Sequence, residues 1–273
     1  MTQKNNFFVL PFYKSLSGQH HRKPYTFGAV YPLIVSSKSL IPFQITSAYV
    51  EKEDNEGLII SADLYDKQGN YKAGITRELN ASFVQVVSDD NFEETLVFPY
   101  TFEGDLGLQE GIYYLAITTR DKVTHYSELF CITHDTSRYV KLEWYDEINV
   151  EYNGVKLLYE SGFKHIAYVD SMVGKPKYDF DEEGTDRDGY FFAEKQLSKK
   201  TFRFSFVAPE YLCDALRIAR LSDNIAVTFN GSTNDCDSFI MEPEWEEQGD
   251  LARVDVEFTV GTVIKKIARA WPM

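Results

Sequence analysis

The densest set of candidate ligands is Asp179-Phe-Asp181-Glu-Glu183-Gly184, in which carboxylates recur ahead of a glycine. Calcium loops space their oxygen ligands two apart and use a glycine for the sharp turn. The twelfth position, where a bidentate Glu closes such a cage, is Tyr190. Tyr178 and Phe180 on one side, and Tyr190, Phe191 and Phe192 on the other, read as strands rather than helices. The run is therefore expected to be an exposed acidic hairpin tip, with Gly184 and Gly189 as turn residues, and no metal is assigned. Asp146 with Glu147, or Glu242, Glu244, Glu246 and Glu247 around Trp245, have the residue types of a glycosidase pair beside an aromatic platform. With 42 acidic residues in the chain, neighbouring carboxylates follow from composition alone.

Other chemistries lack their anchor. Neither G-x-G-x-x-G nor G-x-x-x-x-G-K-[ST] occurs, and neither does H-E-x-x-H nor G-x-S-x-G. The histidines (His20, His21, His125, His134, His165) form no i,i+4 pair that would set two ligands on one helical face. Cys131, Cys213 and Cys236 form no C-x-x-C pair and are too scattered for a disulfide framework, so they read as buried thiols of a reducing cytoplasm. No catalytic residue, cofactor or metal is assigned, and the chain is expected not to be an enzyme.

The elements that would position any site are mostly strands. Phe and Tyr together number 38 in 273 residues, a composition that favours packed sheets. Short strands separated by turns are predicted at Leu58 to Leu64, Phe83 to Val87, Thr95 to Phe102, Ile112 to Thr118 and Thr124 to Cys131. Leu108-Gln-Glu-Gly111-Ile-Tyr113 resembles the tyrosine corner of immunoglobulin-like domains, with Glu110 where a proline is usual. The polar segment His134 to Arg138 is the expected boundary. Beyond it Val140, Leu142 and Trp144 alternate with polar neighbours, and Ile148, Val150 and Tyr152 begin a second such run. Phe202, Phe204 and Phe206 give a strand one aromatic face. Pro209 opens a helix to about 221 with Leu212, Ala215, Leu216 and Ala219 as its buried stripe. Strands are expected again at Ile225 to Phe229 and around Val254 to Val260, with Asn230-Gly231 as a turn.

The predicted fold is thus mainly β. A basic arm occupies 1–42, an immunoglobulin-like β-sandwich 43–135, and a second β-rich (α+β) domain with one helix packed on a sheet 136–273. No apolar run reaches the roughly 20 residues of a membrane span. The expectation is a soluble chain without a signal peptide and without a membrane partner.

Charge divides the chain unevenly. The net −14 resolves into +5 over residues 1–50, which contain no Asp or Glu, and −19 over the rest. A basic arm bearing Phe and Tyr suits an acidic surface on a neighbouring copy or another subunit. The residues expected at that interface are Lys14, Arg22, Lys23, Phe12, Tyr13 and Tyr25, with Trp245 on the body. Removing residues 1–40 is expected to leave both domains folded. The acidic body would repel phosphate, so no specific nucleic-acid partner is expected.

Three stretches of the second half resemble virion structural proteins of tailed phages infecting Bacteroidetes, including crAss-like phages. They are Ser161-Gly-Phe163-Lys-His-Ile-Ala-Tyr168-Val-Asp170, the helix run Ala208 to Leu216, and Glu242-Pro-Glu-Trp245 through Lys266. The resemblance implies a tail, neck or baseplate component located in the virion and assembled in the host cytoplasm. Its partners would be its own copies in a ring, of which repeated heterologous contacts are the usual cause, and other tail or neck proteins. The alternative is a carbohydrate-binding or adhesion module, which predicts exposed coplanar rings among Trp144, Trp245 and Trp271.

Overall fold

A computed structural model describes residues 7–22, 31–37, 42–48, 50, 58–88, 93–98, 107–152, 155–245 and 250–266. In chain order the first half contains β1 (Phe12–Tyr13), β2 (Leu33–Ser36), β3 (Phe43–Ala48), β4 (Ile59–Asp66) and β5 (Tyr71–Gly74). It continues with α1 (Thr76–Ser82), β6 (Val84–Ser88), β7 (Glu93–Phe98), β8 (Gly111–Thr119), β9 (Thr124–Ser127) and β10 (Phe130–Thr133). The second half contains β11 (Val140–Tyr145), β12 (Val150–Tyr152), β13 (Val155–Leu157), β14 (His165–Val169) and β15 (Lys177–Arg187). It ends with β16 (Tyr190–Pro209), α2 (Glu210–Arg217), β17 (Asn224–Phe229), β18 (Ser232–Trp245) and β19 (Leu251–Lys266).

The fold is mainly β, as the alternating patterns predict. In the first half a sheet built on β8 faces the three-stranded sheet β3-β7-β6. Phe43 stacks on Phe98 between them at 4.6 Å, and Phe12 closes on Phe43 at 4.8 Å. The sandwich carries its tyrosine corner: the Tyr113 hydroxyl donates to the Gln109 carbonyl at 2.8 Å. Glu110 accounts for the missing proline. Its carboxylate accepts from the His134 backbone N–H and the Thr133 hydroxyl, each at 2.9 Å, and so ties the corner to the boundary segment. The His134 N–H is the main cause that holds this carboxyl below its ordinary pKa.

The second half is built on a seven-stranded antiparallel sheet in the order β14-β11-β17-β18-β19-β16-β15, with β12 and β13 paired as a separate two-stranded sheet. Phe202, Phe204 and Phe206 of β16, with Val254, Val256 and Phe258 of β19, turn one face inward, and all are buried. The stripe Leu212, Ala215, Leu216 and Ala219 of α2 and the 3-10 turn after it is buried on that face. Pro209 stands just before the helix as its N-cap residue rather than inside the first turn. Asn230 and Gly231 both take positive φ, 49° and 73°, as the two-residue turn between β17 and β18 requires.

The basic arm does not stand apart over its described residues. β1 pairs with β9 and β2 runs parallel to β10, so both belong to the first sheet. Phe7, Val9, Leu10, Leu33 and Val35 are buried in a core continuous with that of the second half. The segment 7–22 wedges between the halves. Phe8 meets Phe163 and His165, Phe7 meets Tyr152, and the Arg217 guanidinium lies 5.3 Å from the Phe7 ring centre. The apolar residues of this basic segment are expected to meet another molecule, but over the described residues the chain itself covers them.

Glu128 fixes this wedge. The predicted strand Thr124 to Cys131 is interrupted at Glu128 and Leu129, where the register against β8 shifts by one residue between β9 and β10. The Glu128 side chain is 2% exposed. It accepts the backbone N–H groups of His20 and Leu129 and contacts His21 Nδ1 at 3.3 Å. It also accepts from the Tyr13 hydroxyl, whose pKa is raised first by burial and then by this carboxylate. Glu128→Ala strands these buried donors, and its unfolding free energy by urea titration is expected to fall by about 2–4 kcal/mol. Glu128→Gln keeps one acceptor and is expected to lose less. Because residues 7–22 are core and not a separate arm, removal of residues 1–40 is expected to abolish cooperative unfolding rather than leave both domains folded; a truncated chain that still melts cooperatively would contradict this placement.

Candidate assembly surface

β16 spans 20 residues, yet its buried residues begin only at Thr201. At about 3.3 Å per residue, more than 30 Å of strand lies before that point. β15 flanks this stretch on one side, and the end of β19 flanks it on the other. None of the described residues of 177–200 or 261–266 is buried. Three strands therefore extend beyond the packed body, and no described residues form a second layer over either face. Asp188 and Gly189 at φ 53° and 80° turn β15 into β16. Gly184 is not a turn residue: it lies where the β15 register slips by one against β16.

The calcium-like run lies along β15 as extended strand, which spreads its carboxylates instead of converging them. Asp179, Asp181 and Glu183 point to one face, where Lys177, Lys199 and Lys195 meet them at 2.8, 3.2 and 2.9 Å. These pairs are open to water and contribute little individually, in the range of about 0–1 kcal/mol. Glu182, on the opposite face, accepts from the Gln196 amide at 2.6 Å. Among the described residues no three His, Cys, Asp or Glu side chains converge as a metal site would need.

The extension presents apolar side chains to solvent. Phe180 is 74% exposed, Tyr190 72%, Val263 62% and Ile264 54%, with Tyr178 and Phe191 also open. Through β16, Phe180 is level with Ser198 and Val263, and Glu182 is level with Gln196 and Lys265. Phe180, Val263, Glu182 and Lys265 consequently share one face. Alternation of Tyr178-Asp179-Phe180-Asp181 is visible in the sequence, but a strand's outrunning the layer that would cover it is not.

The residues expected at an interface fall into three groups. Phe12 and Tyr13 are part of the chain's own packing, and Arg22 stands 5.7 Å from the Tyr114 ring centre, so these serve the fold. Lys14 is exposed. Lys23 and Tyr25 lie outside the described residues. Trp245 is 46% exposed at a cleft of about 500 Å³ between α2 and β18, beside Arg217, Arg220, Met241 and Pro243. Of the other tryptophans, Trp144 is fully buried and cannot be a sugar platform, and Trp271 lies outside the described residues.

The carboxylates considered for catalysis do not assemble either. Asp146 is buried and accepts the Asp223 backbone N–H at 2.8 Å, tying the end of β11 to the start of β17. Burial is the first cause of its raised pKa. Glu147 is exposed, and Glu242 and Glu244 lie along the exposed outer part of β18. Glu246 and Glu247 lie outside the described residues.

His165 is the most perturbed histidine. It is fully buried and stacked on Trp144 at 5.0 Å, with the edges of Phe163 and Tyr159 against it and Phe8 beyond. Neither ring nitrogen has a hydrogen-bond partner among the described residues. Burial alone lowers its pKa to about 3. A folded pKa below the unfolded value of about 6.5 means that the unfolded chain takes the proton first. Stability is therefore whole above that value and declines as pH falls toward 3. His125, lowered to about 4 mainly by burial, adds to the same slope. Chemical denaturation at pH 7 and pH 5 is expected to show a loss that shrinks in His165→Phe; an unchanged difference would refute the assignment.

Comparison of the chain with models of protein families, with curated proteins and with solved structures finds no match.

Proposed function

We propose that this chain is a structural component of a tailed-phage virion, in the tail, neck or baseplate, that assembles with copies of itself into a ring and contacts other tail or neck proteins. The observation that carries the reading is the uncovered three-stranded extension. Phe180 and Val263 on one face, Ile264 on the other and Tyr190 at the tip leave apolar side chains open to solvent on an element that nothing described covers, as at many interaction sites. The resemblance of the stretches around Phe163, Leu212 and Trp245 to virion proteins of phages infecting Bacteroidetes supports the same setting. On this reading the chain acts by geometry rather than catalysis, in the virion after assembly in the host cytoplasm.

Of the tryptophans among the described residues, the carbohydrate-binding alternative keeps only Trp245 in its cleft, since Trp144 is buried. One indole supplies one stacking face, which is a weak basis for holding a sugar.

Native mass spectrometry and negative-stain microscopy of the full chain are expected to show a closed oligomer of one size. Phe180→Ser together with Val263→Ser is expected to raise the concentration at which it dissociates by tenfold or more. A chain that stays monomeric at all concentrations, and also when co-expressed with the proteins encoded beside it, would sink the reading.

A further inference from the structure

The extension has two uncovered edges. β15 ends the sheet order, and no described strand pairs with its outer side. β18 follows β19 only as far as Val260, and the Asp237 carboxylate then caps the Thr262 N–H at 2.7 Å. From Val263 to Lys266, β19 is paired on the β16 side alone among the described strands. Unpaired edges offer rows of N–H and C=O groups to another strand.

We infer that the outer edge of β15 in one copy pairs with the open end of β19 in the next, so that neighbouring copies are joined by continuation of this sheet. The partner is a second copy of this chain, and the inference rests on the assembly reading above. Charge decides which edge meets which. Of the β15 acids, Asp179, Asp181 and Glu183 already meet lysines of their own chain, while Glu182 has no cation partner among the described residues, and pairing β15 with the same strand of another copy would offer it none. The β19 edge instead offers Val263 and Lys265.

Register makes the fit specific. Phe180 and Val263 lie at the same level of the extension, and so do Glu182 and Lys265, each pair on opposite edges of the same face. A copy set beside another without sliding along the strands brings Phe180 to Val263 and Glu182 to Lys265. Lys265 has no ion-pair partner among the described residues, so the contact supplies one. β15 and β19 are both antiparallel to β16 and so run the same way. A rotation about an axis along the strands keeps that direction, and the junction is parallel. Different surfaces meet at each junction, which makes the contact heterologous and able to close into a ring.

The test is a cysteine pair in the full chain, Phe180→Cys with Val263→Cys, and a second pair two residues along, Glu182→Cys with Lys265→Cys. Within one chain each pair is separated by two strand spacings, about 9.6 Å, which exceeds the roughly 7 Å that a disulfide can bridge. Any bond formed therefore joins two copies. Mild oxidation is expected to give a ladder of covalent oligomers on a non-reducing gel from at least one pair. The ladder should collapse with reductant and be absent from the parent chain, which has its own three cysteines. In parallel, Glu182→Lys is expected to lower the assembled fraction severalfold, and adding Lys265→Glu to restore it. Closed oligomers without a ladder from either pair would overturn the junction while leaving the assembly reading in place. Dimers from Phe180→Cys alone would overturn it in favour of β15 meeting β15. A monomer with no ladder would overturn both.

Discussion

Glu128 is a carboxylate buried between β9 and β10, at the point where their register against β8 breaks. Burying a charge is costly unless donors converge on it, and most of those that do come from the N-terminal segment: the His20 N–H, the Tyr13 hydroxyl and His21. The position of residues 7–22 is thereby specified by a directional set of contacts as well as by apolar burial. Those residues in turn form the seam between the halves, since Phe7 and Phe8 reach Tyr152, Phe163 and His165 of the second half. Further contacts complete the seam: the Gln44 amide donates to the Lys156 carbonyl, and the Tyr211 hydroxyl to the Tyr31 carbonyl. The sheets of the two halves change over at His134 to Arg138, where β10 ends before the segment and β11 starts after it, but the core runs across it.

Local pattern made much of this legible. Alternation placed β11, β16 and β19 with the correct buried faces, and the Gly111-Ile-Tyr113 corner, the Asn230-Gly231 turn and the α2 stripe were each visible because a few neighbouring residues determine them. What pattern could not supply was the identity of the surface that covers an apolar residue. Phe7, Phe12 and Tyr13 read as material for a partner, and only tertiary contacts show that the partner is the same chain. The short α1 escaped for a related reason. Ile75 and Leu79 bury its approach while Asn80 bonds both the N–H and the carbonyl of Ile59, and these contacts are distant in sequence. The break at Glu128 was likewise hidden, since a single charged residue within an apolar run resembles an outward-facing position.

The candidate surface was half legible. Tyr178, Phe180 and Tyr190 read as strand residues flanking an acidic run; the run is exposed, but it lies along β15 with a ladder of lysine partners and not at the hairpin tip, which Asp188 and Gly189 form. Its extent was not legible. Strand length in a sequence is bounded by turn signals, whereas the reach of a strand beyond its covering layer depends on where α2 and β18 stop, and neither is encoded within β15 or β16.

The treatment of sheet edges sets the extension apart from the rest of the molecule. Proteins commonly keep exposed edges short, because a long open edge invites pairing with other chains. The first sheet ends on β1 with two residues, and on β2 and β5 with four each. The opposite edge of the second sheet is β14, with five. β15 departs from that economy with eleven residues, no proline, and exposed rings alternating with acids. Acids along such an edge disfavour two kinds of encounter, that with another acidic edge and that with the −19 body of the chain, while tolerating a cationic one. An edge guarded selectively in this way differs from an edge simply blunted. It is a surface whose charge excludes most approaches and leaves room for a strand end carrying a lysine beside an apolar residue.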